Sequence, residues 1–134
     1  MILAIGTDLC EVERVRSALE RLGERFERRI WTDAERAYCR KRLRFAESFA
    51  ARFAAKEAVM KALGTGWRKG VRWVDIEVVR APGQAPTIRL HGASRAHAER
   101  RGIVRFHLSL THTDALAEAI VVAEGNGPAE AGSL

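Results

Sequence analysis

The stretch that decides the fold is residues 52–66, RFAAKEAVMKALGTG. Two sets of side chains in and just before it recur at helical spacing. The larger apolar side chains make one face: Phe49, Phe53, Met60 and Leu63. Small side chains make a second face, suited to close packing: Ala50, Ala54, Ala58 and Ala62. The pattern predicts a long buried helix over residues 46–63, ended by Gly64 in a left-handed conformation.

Two charged side chains, Glu57 and Lys61, lie four residues apart along the seam between these faces. A buried carboxylate needs a partner, because taking it out of water costs on the order of several kcal/mol. Lys61 is the simplest partner, as an ordinary pair within the helix. A metal ion or a phosphate near Glu57 is the alternative, and both remain open from these residues.

The remaining segments predict an α+β fold. Residues 1–9 form an apolar run typical of a buried strand, with Asp8 at its end. Helices are predicted at 11–22, with a break at Gly23, at 32–42 behind a capping box, and at 92–101. Strands are predicted at 73–79, 87–90, 104–111 and 116–123. We expect a small antiparallel sheet packed on the long central helix, one domain over 1–124, and a flexible tail at 125–134.

Composition restricts the class of protein. With 134 residues, 47% of them hydrophobic and 30% charged, the chain is typical of one soluble globular domain. It has no apolar run long enough to span a bilayer and no visible leader segment, so we expect no membrane partner. Cys10 and Cys39 lack the spacing of metal or redox sites, which is typical of reduced packing residues in the cytoplasm.

The net charge of +6 is concentrated in one quarter of the chain. Residues 11–44 contain eleven basic and seven acidic side chains, a net +4. Their interleaving favours exposed helices with internal ion pairs, which would account for most individual arginines. A positive surface remains, and an acidic protein or a nucleic acid could bind it.

Three motifs together resemble the holo-[acyl-carrier-protein] synthases, the small 4'-phosphopantetheinyl transferases. They are Ile5-Gly6-Thr7-Asp8, the pattern Ala-Lys-Glu-Ala-x-x-Lys-Ala-x-Gly-x-Gly over residues 55–66, and Ser109-x-x-His112 before a terminal strand. The resemblance extends from residue 2 to about residue 124. It implies the same small α+β fold and assembly into a homotrimer.

The family's reaction implies a site for Mg²⁺ and coenzyme A. A serine of apo acyl carrier protein attacks the β-phosphorus of coenzyme A and 3',5'-ADP leaves, a step that depends on positioning and charge neutralisation. Asp8 and Glu57 match the metal ligands, and these two with Lys61 match the catalytic residues. The positions that match coenzyme A contacts are Arg52, Lys61, Gly64, Thr65, Gly66, His112 and Thr113.

Plainer interpretations compete at several positions. Asp8 could cap the next helix, and His112 could be a turn residue without a ligand. Gly64, Thr65 and Gly66 could approach a phosphate through free backbone N–H groups, although Gly64 is already explained as a helix terminator. Lys56 is expected to point toward a phosphate or another subunit. The base that deprotonates the serine stays open between a magnesium-bound water and Glu57 acting through water.

The resemblance also implies partners. Arg14, Arg21 and Arg25 lie where the family's first helical region meets the acidic carrier protein, and His112 would reach the active site from a neighbouring subunit. Fatty acid biosynthesis is the expected context, with a polyketide carrier as the alternative. A nucleic-acid-binding domain would explain the basic charge, but not Asp8 and Glu57, so we expect no nucleic acid partner. A structural subunit without activity would have lost the metal ligands.

Overall fold

The computed structural model describes residues 1–129. The elements, in chain order, are β1 Ile2–Glu11, α1 Val12–Ile30, α2 Asp33–Arg40, α3 Phe45–Leu63, β2 Ile76–Val79, β3 Thr87–Leu90, α4 Gly92–Arg100, β4 Ile103–His112 and β5 Leu116–Gly125. A 3₁₀ turn at Trp73–Asp75 precedes β2. The α+β class and the long central helix are confirmed.

The larger sheet has three antiparallel strands in the order β1-β5-β4, while β2 and β3 form a separate hairpin. One face of the three-stranded sheet packs on α3. The residues of β5 on that face are small and fully buried: Ala117, Ala119, Val121 and Ala123. Because the helix also presents alanines, small side chains lie on both sides of this contact and allow close packing.

Gly6 lies at a close contact between β1 and α3. A Cβ atom at Gly6 would lie 1.9 Å from the carbonyl oxygen of Ala58 and 3.2 Å from the amide nitrogen of Ala62. Any side chain there would push the strand away from the helix. Asp8 is two residues further along the same strand face, so this contact also holds Asp8 against α3.

Three local signals in the sequence act as predicted. Gly23, with φ 72°, kinks α1 between two helical segments. Thr32 and Glu35 form the capping box of α2, with bonds of 2.9 and 3.1 Å. Gly64, with φ 73°, ends α3 in the left-handed conformation.

Two predictions about strands need correction. The strand predicted at 73–79 begins only at Ile76, because residues 73–75 form a 3₁₀ turn in which the Trp73 carbonyl oxygen accepts hydrogen bonds from the N–H of Ile76 and from Lys56. The interpretation of β1 as a buried strand is wrong, since Ile5 and Leu9 are 64% and 60% exposed. Only the inner face of β1 lies on α3.

The outer sheet face is therefore exposed, and its β1 side is mostly apolar. This side consists of Ile5, Thr7 and Leu9 from β1 with Ile120 and Val122 from β5, which lie side by side in the strand register, while β4 adds polar side chains at 107, 109 and 111. Ile120 is 41% exposed. A contiguous apolar surface of this kind is typical of a contact with another protein.

The chain after β5 begins attached to the sheet. The N–H group of Asn126 donates to the carbonyl oxygen of Gly102 at 3.1 Å. Residues 130–134 of the predicted tail lie outside the described residues. Among residues 1–129, no helix is both long and apolar enough to cross a membrane.

Both cysteines are buried and free. Burial raises the pKa of Cys10 to about 11 and that of Cys39 to about 12, so neither thiol ionises near neutral pH. They are packing residues, as their isolated positions indicate.

Candidate active site

Asp8, Glu57 and Lys61 come together where β1 crosses α3, and we call them the carboxylate cluster. Asp8 lies on the inner face of β1, opposite Ala119 of β5. The Lys61 Nζ atom donates to Asp8 Oδ1 at 3.1 Å and to the carbonyl oxygen of Thr7 at 2.9 Å. Lys61 thereby joins the strand to the last turn of α3.

Glu57 is half-buried and is not paired with Lys61. Within residues 1–129 no cationic nitrogen lies within 4 Å of its carboxylate, because Lys61 reaches across to Asp8 instead. Burial first, and then the negative charge of Asp8, raises the pKa of Glu57; Lys61 and Arg14 oppose that rise. The structure thus excludes the direct Glu57–Lys61 pair and leaves a bound cation or phosphate as the alternative.

The capping role considered for Asp8 is also excluded. The N-cap residue of α1 is Glu11, which makes no side-chain cap, and the N–H of Val12 donates to the carbonyl oxygen of Ala115. Asp8 therefore does not cap α1.

The cluster fits a magnesium ion. Mg²⁺ prefers oxygen ligands and is commonly held by one or two carboxylates, with phosphate oxygens and waters in the other positions. Asp8 and Glu57 form such a donor set: two carboxylates lie in a partly dehydrated place, and the charge of Asp8 adds to burial in raising the pKa of Glu57. No group of three or more His, Cys, Asp or Glu side chains suited to a metal occurs in the described chain. With two carboxylates as protein ligands, waters and phosphate oxygens would take the other positions around Mg²⁺.

Lys56, the residue before Glu57, has a different role from the one expected. Its side chain is fully buried, with Nζ 2.7 Å from Glu35 Oε1, 2.6 Å from the carbonyl oxygen of Ile76 and 3.1 Å from that of Trp73. The expectation that Lys56 points toward a phosphate or another subunit is wrong. Its position on the inward side of α3 turns it into a link between α2 and the start of β2.

The turn at residues 64–66 does not present free backbone N–H groups. Those of Thr65 and Gly66 both donate to the carbonyl oxygen of Met60, at 3.2 and 3.4 Å, and that of Gly64 donates to Lys61. The Thr65 hydroxyl donates to the carbonyl oxygen of Gly66. These bonds close the end of α3, so a phosphate would find its donors elsewhere unless the turn rearranged.

Arg52 and His112 line one cavity of about 390 Å³, which we call the arginine cavity. Its other polar lining residues are Tyr38, Ser48, Arg80 and Ser109. Arg52 is only 4% exposed, and its Nε atom has no hydrogen-bond partner within residues 1–129. A buried guanidinium N–H without an acceptor is costly, so this arrangement favours an anionic ligand.

His112 and Thr113 lie at the end of β4, where the chain turns into β5. His112 Nδ1 is 3.5 Å from Glu47 Oε1. The Thr113 hydroxyl accepts hydrogen bonds from the N–H groups of Ala115 and Leu116, at 3.2 and 3.1 Å. Thr113 therefore shapes the turn that holds His112 at the cavity.

Neither Asp8, Glu57 nor Lys61 lines the arginine cavity. The candidate coenzyme A residues thus fall into two groups on one chain: the carboxylate cluster with the 64–66 turn, and the arginine cavity. Tyr38 and Arg80 belong to the second group and were missed, because they stand outside every motif. The excess of basic residues could have pointed to Arg80, whereas no pattern in the sequence points to Tyr38.

Arg14, Arg21 and Arg25 are exposed on α1 and form no ion pair within residues 1–129. Their neighbours are paired as the interleaved charges predicted, with Arg16 to Glu13 at 2.6 Å and Arg28 to Glu24 at 2.7 Å. The three unpaired arginines keep their charge available to a partner. Arg14 is close enough to act on the pKa of Glu57, so this positive surface adjoins the carboxylate cluster.

Comparison with known proteins identifies the class. Residues 4–120 match the model of the 4'-phosphopantetheinyl transferase superfamily. A holo-[acyl-carrier-protein] synthase of Solibacter usitatus is 49% identical over 124 residues, which cover 92% of this chain and 99% of that protein.

Solved structures agree. The synthase from Neisseria meningitidis has a TM-score of 0.83 and 34% identity, covering 92% of this chain and 99% of its own. One from Bacillus anthracis, solved in complex with CoA (3',5'-ADP), has a TM-score of 0.77 and 35% identity, covering 94% and 99%. The chain belongs to the 4'-phosphopantetheinyl transferase superfamily, and within it to the holo-[acyl-carrier-protein] synthases.

Proposed function

We propose that this enzyme transfers 4'-phosphopantetheine from coenzyme A to a serine of apo acyl carrier protein, with Mg²⁺, in fatty acid biosynthesis. The observation that carries the proposal is the carboxylate cluster, two carboxylates and a lysine held together by the β1–α3 contact. The relatives at about 50% identity and the coenzyme A complex of a similar synthase support it. The free thiols favour a cytoplasmic location.

Asp8 and Glu57 would hold the magnesium ion, which neutralises phosphate charge and lowers the pKa of bound water. The ammonium group of Lys61 contacts the Asp8 carboxylate, and the Lys61 side chain is 55% exposed. The ammonium group can therefore also reach a phosphate oxygen of the substrate. Glu57 carries a raised pKa, which suits a carboxylate that accepts the serine proton through water. The chain's own part is to place these groups and to keep them partly dehydrated.

Coenzyme A would use both groups of residues. Its pyrophosphate belongs at the carboxylate cluster, beside the turn of Gly64, Thr65 and Gly66. Its nucleotide end carries further negative charge that suits Arg52 and His112. Since these two residues line a separate cavity, we propose that one subunit supplies the carboxylate cluster and a neighbour supplies the arginine cavity.

The outer sheet face supports this assembly. Ile5, Leu9 and Ile120 form an exposed apolar surface next to the strand that carries Asp8. We propose that it packs against other copies of the chain in a homotrimer, with active sites between subunits. Leu9→Arg with Ile120→Arg should give a folded protein of lower mass in sedimentation and with little activity; an unchanged mass would contradict the proposed interface.

Arg14, Arg21 and Arg25 would dock the acidic carrier protein beside the active site. Exposed arginines without carboxylate partners attract an acidic surface and set its orientation, while adding modestly to affinity. Their place on α1, within electrostatic reach of Glu57, would bring the carrier serine toward the carboxylate cluster.

The test of the reaction is mass spectrometry of apo acyl carrier protein incubated with the enzyme and coenzyme A, with and without Mg²⁺. The expected result is a mass gain of one phosphopantetheine that chelation abolishes and added Mg²⁺ restores. No gain with several fatty-acid and polyketide carriers, from protein shown to be folded, would overturn the proposal. A gain that survives chelation would overturn the metal role alone.

Subunit mixing tests whether the site is shared. Glu57→Gln alone should be nearly inactive, and Arg52→Glu alone should be nearly inactive at a coenzyme A concentration far below its raised KM. If one site uses Glu57 and Arg52 from different subunits, randomly mixed trimers regain roughly one quarter of the active sites. No recovery after verified subunit exchange would place both residues in the same subunit's site.

A further inference from the structure

Three arginines converge on one tyrosine at the arginine cavity. The guanidinium carbon of Arg52 lies 4.0 Å from the centroid of the Tyr38 ring, and that of Arg42 lies 4.5 Å from it. The Tyr38 hydroxyl oxygen accepts a hydrogen bond from Arg42 Nη2 and another, at 3.4 Å, from Arg80 Nη1. One side chain of α2 thus contacts three guanidinium groups through its ring and its hydroxyl.

No carboxylate neutralises these three cations. Within residues 1–129, no carboxylate oxygen lies within 4 Å of Arg42, Arg52 or Arg80. Arg36, by contrast, is paired with Glu27 at 2.8 Å. Three unpaired guanidinium groups around one phenol repel each other, and a bound anion would relieve that repulsion.

The acid that lines the adjoining cavity is already engaged. Glu47 lines the adjoining cavity together with Tyr38, but its carboxylate faces Arg44 at 3.8 Å and His112 at 3.5 Å. It leaves the charge of the three arginines around Tyr38 uncompensated.

The pKa of the Tyr38 hydroxyl responds to the same positive charges. Burial alone would raise the pKa of Tyr38, but the hydrogen bond from Arg42 and the charges of Arg80, Arg42 and Arg52 outweigh it and lower the pKa. The cavity is therefore strongly positive where these side chains meet.

We propose that Tyr38 is a positioning residue that holds Arg42, Arg52 and Arg80 as a receptor for a phosphate group of coenzyme A. Guanidinium groups bind phosphate oxygens through paired N–H donors, so their mutual orientation decides the affinity. The Tyr38 ring orients the guanidinium groups of Arg42 and Arg52, and the Tyr38 hydroxyl holds the terminal nitrogens of Arg42 and Arg80. The proposal rests on the proposed function, because it takes coenzyme A as the substrate.

The test compares Tyr38→Phe and Tyr38→Leu with the unaltered enzyme. Phenylalanine keeps the ring and loses the hydroxyl, whereas leucine loses both. We expect the KM for coenzyme A to rise about threefold for Tyr38→Phe and about tenfold or more for Tyr38→Leu, with kcat within about twofold. Arg95→Gln is the matched control, since Arg95 is an exposed arginine paired with Glu99 on α4 and should change neither constant.

Two substrates show which phosphate is bound. A KM increase confined to coenzyme A, and absent with dephospho-coenzyme A, assigns the receptor to the 3'-phosphate monoester. Equal increases on both substrates assign it to the pyrophosphate. An unchanged KM for coenzyme A in Tyr38→Leu would overturn the proposal.

Thermal melting and product binding distinguish a loss of phosphate binding from a loss of folded protein and from a failure of the proposed reaction. If Tyr38→Leu lowers kcat in proportion to its loss of folded protein and leaves KM unchanged, Tyr38 is only structural and the inference fails. The affinity for 3',5'-ADP is measured on the same variants, without turnover. Absence of transfer by the unaltered enzyme would refute the proposed function, whereas weaker 3',5'-ADP binding in Tyr38→Leu would still support the receptor.

Discussion

The carboxylate cluster and the arginine cavity both involve α3, but they carry opposite charge and attract opposite ligands. The cluster holds two carboxylates beside one lysine and favours a cation. The cavity holds uncompensated guanidinium groups and favours an anion. The difference indicates a division of labour, in which the cluster would act on the reacting phosphorus and the cavity would mainly hold the substrate. Variants in the two regions should therefore differ in kind as well as in size.

The largest effect is expected in the carboxylate cluster. Glu57→Gln should lower kcat by about 100-fold or more, because it removes a charge that acts on the transition state. Folding should not suffer: burial and Asp8 raise the pKa of Glu57, so its charged form is disfavoured and a neutral side chain of the same shape fits at least as well. Timed mass spectrometry gives the rate, and thermal melting gives the stability.

Glu99→Gln on α4 is the control for this change, since Glu99 is exposed and pairs only with Arg95 among the described residues. Turnover close to that of the unaltered enzyme in Glu57→Gln would contradict the catalytic role of the cluster. A large fall in melting temperature would instead show that Glu57 stabilises the fold.

A smaller effect of another kind is expected in the arginine cavity. Arg52→Gln should raise the KM for coenzyme A about tenfold, with kcat nearly unchanged, because it removes a binding charge remote from the reacting atoms. Initial rates over a range of coenzyme A concentrations separate the two constants, with Arg95→Gln as the control. A fall in kcat at unchanged KM would contradict the division between the two regions.

The two regions were not equally predictable. Asp8, Glu57 and Lys61 stand in contiguous motifs, and the spacing of apolar residues and alanines predicts the helix and the face of it that packs closely on another element. The cavity joins Tyr38 of α2, Arg52 of α3 and Arg80 after β2, and no local pattern relates positions so far apart.

The direction in which a side chain points was harder to predict than the secondary structure. Lys56 and Glu57 are neighbours in one motif, yet they point in different directions. Lys56 is fully buried and pairs with Glu35, whereas Glu57 lies beside Asp8 in the carboxylate cluster. A helical lysine can lie inside when a carboxylate and backbone carbonyls from other elements meet it, and those partners are set by the tertiary fold. The same reason explains why Ile5 and Leu9 looked like core residues but lie on the outer sheet face.

The smallest effect is expected outside both regions, on α1. Arg14→Glu should raise the KM for the carrier protein about three- to tenfold and leave the KM for coenzyme A unchanged, because an exposed charge mainly steers the partner. Added salt should weaken carrier binding by the unaltered enzyme more than by the variant, since salt screens the attraction that the variant has lost.

Arg95→Glu is the control for this change, because it makes the same charge reversal on α4, where no carrier contact is proposed. Equal increases in both KM values would mean that Arg14 acts on the carboxylate cluster through its charge on Glu57, and the docking surface would then have to lie elsewhere.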